Sequence, residues 1–276
     1  MGGLTREFER AFLGERSPPV SERFASGALR VRDARADCPT CGVPIGPGEV
    51  TDDARGVPRC AACRDSRLAW NAFIRLAAHD GAWRDAIHET KFSRHRRLGH
   101  AIGARLGERI RERLREAGIE PERAVICPMP TTLRRRLARG IDHAGVLSRG
   151  AAWSAGLRVA PLLSRTHRPS QLDVPASQRA RNIAGAFRAR PGAITRTLGR
   201  MGDGACVVIV IDDVRTTGAT MRGACRALRA GVRRACGGES PGRDPRTVQV
   251  WAAVVATADR GDRASPENET GPENDS

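Results

Sequence analysis

Apolar positions along the chain fall into two kinds of run. Cys206 to Ile211 (CVVIVI) is apolar without alternation, the pattern of a strand buried on both faces, as in a parallel sheet. Val248 to Ala256 (VQVWAAVVA) reads as a second buried strand, and Ala124-Val125-Ile126-Cys127 as a shorter one stopped by Pro128 and Pro130. Elsewhere the spacing is three or four. Leu68, Phe73, Ile74 and Leu76, then Leu98, Ile102, Leu106, Ile110 and Leu114, predict helix within 66–118, ended by Gly118. Ile141 to Leu157 and about Ala219 to Val232 also read as helix, whereas 158–200 reads as irregular, with apolar islands at Leu162-Leu163 and Ala184 to Phe187. A strand, loop, helix and strand in succession predict a βαβ crossover and an α/β fold with a mainly parallel central sheet. No internal repeat is present.

The length, 276 residues, permits a full hydrophobic core. The predicted division is a flexible N-terminal extension over 1–37, a small cysteine-bearing module over 38–66, a main domain over 67–258 and a disordered acidic tail over 259–276. No apolar run approaches 18 residues, so no transmembrane helix is expected. Met1 to Arg10 is charged and lacks the apolar segment of a secretory leader, so the expected location is the cytoplasm.

Charge narrows the partners. Lys+Arg number 47 against 31 Asp+Glu, a net charge of +16, which favours polyanions or phosphorylated substrates. A compositional bias toward Arg is the alternative source. Aromatic residues are 4% and Tyr is absent, which argues against an extended base-stacking surface.

Four of the eight cysteines form two CxxC turns, Cys38/Cys41 and Cys60/Cys63, with 18 residues between the turns. Each turn aims two thiolates at one point, and two turns complete a tetrahedral shell of four sulfurs that suits structural Zn²⁺. Gly42, Pro44, Gly46, Pro47 and Gly48 supply turns, and the segment has too little apolar content to fold without the metal. Two disulfides are the alternative, disfavoured in a cytosolic chain. Cys127, Cys206 and Cys225 read as packing residues, as does Cys236, which stands at a helix end.

The strongest chemical signal is Cys206 to Met221, CVVIVIDDVRTTGATM. A buried strand delivers Asp212 and Asp213, and Thr216-Thr217-Gly218-Ala219-Thr220 then opens a helix. Backbone N–H groups converging at a helix N-terminus suit a phosphate, and Gly218 permits close approach. The carboxylates suit sugar hydroxyls or water around Mg²⁺. An ordinary strand-to-helix turn is the plain alternative, but two adjacent acids ending an apolar strand are costly without a partner.

This stretch resembles the phosphoribosyl-pyrophosphate (PRPP) signature of type I phosphoribosyltransferases: hydrophobics, Asp-Asp, two residues, Thr-Thr-Gly-x-Thr. The resemblance implies that Asp212 and Asp213 bind the ribose hydroxyls and that Thr216, Thr217, Gly218, Ala219 and Thr220 bind the 5′-phosphate of PRPP carried with Mg²⁺. Further segments, over roughly 38–258, resemble the ComF/GntX branch of competence-protein-F-like phosphoribosyltransferases. They are the four-cysteine module, a Lys at a helix end (Lys91 in HETKF) and the Pro128-Met129-Pro130 turn. An Arg-rich stretch to Gly140 follows (Arg134, Arg135, Arg136, Arg139), then a polar stretch holding Arg165, Gln171, Arg179 and Asn182 before Gly185-Ala186-Phe187. The implied fold is a type I phosphoribosyltransferase-like core with a small zinc-ribbon-like module at its N-terminal side.

Three stretches depart from that branch. Its Gly-Phe-Asn-Gln is here Gly140-Ile141-Asp142-His143, a Thr three residues before the Gln is Arg168, and a Leu three residues after it is Val174. Lys91 is the single Lys among 47 basic residues, and by resemblance it joins Asp212 and Asp213 in the catalytic set by holding pyrophosphate. A compact ammonium suits a tight pyrophosphate pocket better than a planar guanidinium; chance survival of one Lys is the alternative. His143 and His167 are not assigned as bases, and Trp70, Trp83, Trp153 and Trp251 read as core or interface residues.

Two classes of function follow from the resemblance. One is an enzyme that binds PRPP with Mg²⁺ and transfers the phosphoribosyl group with release of pyrophosphate. The other is non-catalytic: a single-stranded-DNA-binding protein of DNA uptake in natural transformation, or a PRPP-responsive regulator. The acceptor and the oligomeric state are not readable from the chain.

Overall fold

The computed structural model of the chain describes residues 20–54, 56–90, 96–132, 141–166, 185–237, 244 and 247–258. Lys91, Arg134–Arg136, Arg139, Gly140, His167, Arg168, Gln171, Val174, Arg179, Asn182 and the 259–276 tail lie outside the described residues. Among those described, no helix is long and apolar enough to cross a membrane.

The elements, in chain order, are α1 (Val20–Ala25), β1 (Val50–Asp52), β2 (Pro58–Cys60), β3 (Ala72–Ala78), α2 (Gly81–Thr90), α3 (Arg96–Glu116), β4 (Ala124–Pro128), α4 (His143–Ala155), β5 (Arg158–Val159), β6 (Leu163–Arg165), β7 (Phe187–Ala189), α5 (Pro191–Arg200), β8 (Cys206–Arg215), α6 (Ala219–Cys236) and β9 (Val248–Thr257). Five strands form one sheet in the order β3-β9-β8-β4-β5, every neighbouring pair parallel. β1 pairs with β2, and β6 with β7, each antiparallel. The α/β class, the mainly parallel sheet and a separate four-cysteine cluster near the N-terminus match the expectation from sequence.

The unalternated strand pattern has its cause in the layers. Val207, Ile209 and Ile211 face one core with Ile102, Leu106, Ile110 and Leu147, which come from α3 and α4. Val208 and Val210 face the other core with Ile194, Leu198, Leu228 and Val232, which come from α5 and α6. Helices cover both faces of the sheet, so successive residues are buried in opposite directions and no polar position remains.

Two sequence expectations are corrected. Residues 72–78 are strand β3, whereas spacing had placed them in helix. A short apolar run flanked by a long amphipathic helix has no period of its own, and parallel pairing with β9 from Ala72↔Trp251 to Ala78↔Thr257 decides it. Residues 158–200, read as irregular, contain β5, β6, β7 and α5. Those strands are two or three residues long, too short to show alternation, and Pro191 at the first turn of α5 is an initiation signal.

Residues 20–37, part of the stretch read as an extension, are mostly exposed but touch the main domain. Leu29 is buried in the core, and Arg23 pairs with Glu89 of α2 at 2.9 Å. α3 and α4 meet through small residues: a Cβ on Gly103 or Gly107 would lie 2.2 or 2.3 Å from the carbonyl oxygens of Leu147 and Ala151. Trp70, Trp83 and Trp251 are buried, whereas Trp153 is 76% exposed, its ring 6.1 Å from that of His100.

Candidate functional site

The sheet order defines where a ligand fits. From β4 the chain crosses through α4 to β5 on one side, and from β8 it crosses through α6 to β9 on the other. β4 and β8 are neighbours, so the crevice beyond their C-terminal ends is the switch point at which open α/β sheets bind ligands. Met129 N–H donates to the Ile211 carbonyl at 2.8 Å, which sets the Pro128–Pro130 turn beside Asp212.

Asp212 and Asp213 occupy this position. β8 runs through them to Arg215, four residues beyond the strand end read from sequence, because Asp212, Val214 and Arg215 continue the register with Val254, Ala256 and Thr257 of β9. Asp212 Oδ1 accepts the Asp213 N–H at 3.0 Å and Asp213 Oδ1 accepts the Val214 N–H at 2.8 Å. Burial pushes the Asp212 carboxyl well above the usual carboxylate range, the neighbouring Asp213 charge adds to the rise, and Arg165 of β6 opposes it. Arg165 lies over the ring of Phe187, 5.1 Å from its centroid, which holds a cation on the hairpin beside the acidic pair.

The loop follows at once. Thr216 and Thr217 are exposed and Gly218 is buried. Gly218 has φ +73°, the left-handed conformation that turns the strand into α6 and that a Cβ would strain. Gly218 as N-cap has no side chain to cap α6, Thr217 Oγ1 accepts the Ala219 N–H at 3.4 Å, and the first turn carries no acidic residue. Arg222 holds the turn through its N–H to the Gly218 carbonyl at 2.9 Å and its guanidinium to the Thr217 carbonyl at 3.1 Å. The N-terminus of an 18-residue helix, two hydroxyls and the nearby Arg222 together suit a phosphate dianion.

The altered Gly-Ile-Asp-His segment takes structural roles where it is described. Ile141 and His143 are buried, and Asp142 is the N-cap of α4, its Oδ1 accepting the Gly145 N–H at 3.3 Å. Cys127, Cys206 and Cys225 are buried and Cys236 is half-buried. Burial pushes the Cys127 thiol up to about 12 and raises that of Cys225 as well, so both are packing groups rather than nucleophiles.

The second cluster is the cysteine module. The Sγ atoms of Cys38, Cys41, Cys60 and Cys63 lie within 4.8 Å of one another and are all buried. Cys41–Cys60 is 3.5 Å, and Cys38–Cys63 and Cys60–Cys63 are each 3.8 Å. A tetrahedral shell with metal–sulfur bonds of about 2.3 Å places sulfur pairs about 3.8 Å apart, so the donor set fits such a metal and not two disulfides. Its apolar support is Val43, Ile45, Val50 and Leu68, all partly buried. This is the group of three or more metal-ligating side chains found among the described residues. Asp212 and Asp213 alone offer two carboxylates, so a magnesium ion there would draw its remaining ligands from water and phosphate oxygens.

Sequence reasoning brought the acidic pair, the loop and the four cysteines to these two places. It named Arg165 through the resemblance but missed Arg215 and Arg222. Arg215 Nη1 donates to the Cys41 carbonyl at 2.6 Å, and its guanidinium carbon lies 4.3 Å from the centroid of Phe73. Among 46 Arg (47 Lys+Arg less Lys91), no local signal distinguishes those that are half-buried from those in solvent.

No family model matches the chain. It is 26% identical over 227 residues to the DNA utilization protein YhgH of Escherichia coli O6:H1 (strain CFT073), covering 80% of this chain and 86% of that protein. To the YhgH protein of Shigella flexneri it is 25% identical over 218 residues, covering 78% and 82%. Among solved structures it is similar to the glutamine PRPP amidotransferase from B. subtilis complexed with ADP and GMP, at 17% identity and a TM-score of 0.31, covering 56% of this chain and 26% of that one. A structure of the allosteric regulatory enzyme of purine biosynthesis is comparable, at 16% identity and a TM-score of 0.30, covering 56% and 25%. The chain thus spans about a quarter of the length of these two solved structures.

Proposed function

We propose that this chain is a ComF-like, PRPP-binding protein of phosphoribosyltransferase type that acts in the cytoplasm. It combines a structural zinc module (38–66) with a sugar-phosphate-binding domain (67–258). The observation that carries the reading is the placement of Asp212, Asp213 and the Thr216–Thr220 loop at the switch point between β4 and β8. There a phosphate meets the N-terminus of α6 while the ribose hydroxyls meet the carboxylates.

In transfer, the bond from ribose C1 to pyrophosphate breaks, its electron pair leaves with pyrophosphate, and an acceptor attacks C1. Magnesium, when bound with PRPP, neutralises pyrophosphate charge. The loop anchors the 5′-phosphate, so the sugar cannot drift as its C1 becomes cationic. Asp212 and Asp213 hold the hydroxyls and face the developing oxocarbenium charge with carboxylate charge. Lys91, outside the described residues, is assigned to pyrophosphate by its resemblance alone.

Titration calorimetry of the zinc-loaded chain with PRPP and Mg²⁺ tests this reading. Micromolar binding, lost in an Asp212→Ala/Asp213→Ala double variant, is expected; no binding by the native chain would overturn it. Pyrophosphate release in the presence of nitrogenous acceptors separates the enzyme from a regulator that binds without turnover.

A second reading, single-stranded DNA binding, is favoured by relatives named DNA utilization protein and by the net charge of +16. Affinity resting on phosphate contacts would fall steeply with salt. Binding that is undetectable at low ionic strength, or insensitive to salt, would sink it.

A further inference from the structure

Arg215 is the last residue of β8 and the residue immediately before Thr216. Its position is set from both sides. On the loop side its carbonyl accepts the Ala258 N–H at 2.9 Å, and its side-chain carbons Cδ and Cγ lie 3.5 and 3.7 Å from where a Cβ of Gly218 would stand. On the other side its guanidinium reaches into the cysteine module, donating to the Cys41 carbonyl at 2.6 Å and lying 4.3 Å from the centroid of Phe73.

Phe73 is itself gripped by that module. Its N–H donates to the Pro39 carbonyl at 3.0 Å, and Gly42, at φ +72°, approaches the ring so closely that a Cβ would stand 2.2 Å from it. Trp70 Nε1–H donates to the Thr40 carbonyl at 3.0 Å. The first CxxC turn therefore touches the sheet through Pro39, Thr40, Cys41 and Gly42, and Cys41 contacts the residue that opens the phosphate loop. The shape of that turn depends on what holds the sulfurs of Cys38 and Cys41, because the apolar residues packed on the cysteine cluster itself, Val43, Ile45, Val50 and Leu68, are each only partly buried.

We infer that Arg215 is a positioning residue that couples metal occupancy of the four-cysteine cluster to the geometry of the Thr216–Thr220 loop. The inference rests on the readings of the cluster as a zinc site and of the loop as a phosphate site. With the metal in place, the Cys41 carbonyl and the Phe73 ring hold the guanidinium, and the strand end delivers Thr216 and Gly218 in register with the N-terminus of α6. Without it the carbonyl moves away, and the loop loses its anchor on that side. Coupling between two binding sites is reciprocal, so a bound sugar phosphate tightens zinc by the factor that zinc tightens the sugar phosphate.

The test uses the full zinc-loaded chain, Arg215→Gln and Arg215→Lys, with hydrogen exchange over residues 216–220, zinc content and PRPP·Mg²⁺ affinity as readouts. In the native chain, chelation of zinc is expected to speed loop exchange and weaken PRPP about tenfold, within the usual range of coupling between sites. In Arg215→Gln the loop exchanges fast with one zinc still bound, and chelation adds little. Arg215→Lys, which keeps the charge but not the planar fork, falls between. Equal exchange and affinity in Arg215→Gln and the native chain would overturn the coupling, as would a loss of protection on chelation spread equally through β8 and β9. A native chain that never binds PRPP overturns the proposed function instead, while zinc-dependent exchange of the loop still decides whether Arg215 transmits metal occupancy.

Discussion

Arg75 of β3 donates two hydrogen bonds, 2.6 and 2.9 Å long, to the carboxylate of Asp37, the residue that leads into the cysteine module, across a seam with the sheet. The Arg75 side chain is 1% exposed; its guanidinium also reaches Thr257 Oγ1, and Asp37 receives a further bond from Arg32 at 2.9 Å. Breaking one side of such a pair leaves a buried carboxylate partly compensated. Arg75→Ala is expected to lower the stability to urea by about 3–5 kcal/mol. A loss under about 1 kcal/mol, the usual worth of a surface pair, would show that the seam is open to water.

In the proposed reading, Asp212 serves a ligand at the expense of stability. Its carboxyl titrates well above 3.8 because burial and the charge of Asp213 disfavour ionisation. A group whose folded value is raised contributes stability fully below its unfolded value, and that contribution is lost as pH rises through the folded value. At pH 7, above the ordinary carboxyl value, ionisation of this group therefore favours the unfolded chain. Asp212→Asn should raise Tm at pH 7, by about 2–4 °C for each kcal/mol relieved, and abolish PRPP binding. The gap from the native chain should close as pH falls toward 3.8. An unchanged or lower Tm at pH 7 would show that the charge is already compensated in the empty site.

The α3–α4 contact makes its own demand. Gly103→Ala and Gly107→Ala each drive a methyl group against backbone carbonyls that cannot rotate away. Each should cost about 1–3 kcal/mol by denaturant unfolding. Gly199, in α5 with open space around its Cβ position, is the control. Gly199→Ala should be neutral or stabilise by up to about 1 kcal/mol through helix propensity. Equal effects at the three sites would mean that the helices can separate without loss.

Metal content separates the two classes of cysteine. One zinc per chain is expected by metal analysis, lost on Cys38→Ser or Cys60→Ser and retained on Cys127→Ala or Cys225→Ala. Retention of full zinc in the Cys38 or Cys60 variant would place the ion elsewhere.

Much of the site was legible because its signals are local. CVVIVIDDVRTTGAT reads as strand, acids and phosphate turn without any neighbour, and the two CxxC turns hold their geometry within four residues each. The strand at 72–78 was not legible. AFIRLAA is strand because Trp251 to Thr257 lies beside it, and its apolar residues serve two cores at once.

Composition and order along the chain determined an α/β protein, a four-sulfur cluster and an acidic pair preceding a glycine-bearing loop, since each is written in consecutive residues whose chemistry needs no distant partner. What each of the many arginines touches was decided by tertiary structure alone. Arg165 stands out in sequence only through the family resemblance and Arg75 and Arg215 not at all, but Arg75 is buried against Asp37, Arg165 acts on Asp212, and Arg215 bridges Cys41 to the loop. A guanidinium takes its role from the groups that folding brings to it, and for Arg75 and Arg215 the acceptors come from segments 38 and 174 residues away, a separation no local pattern encodes.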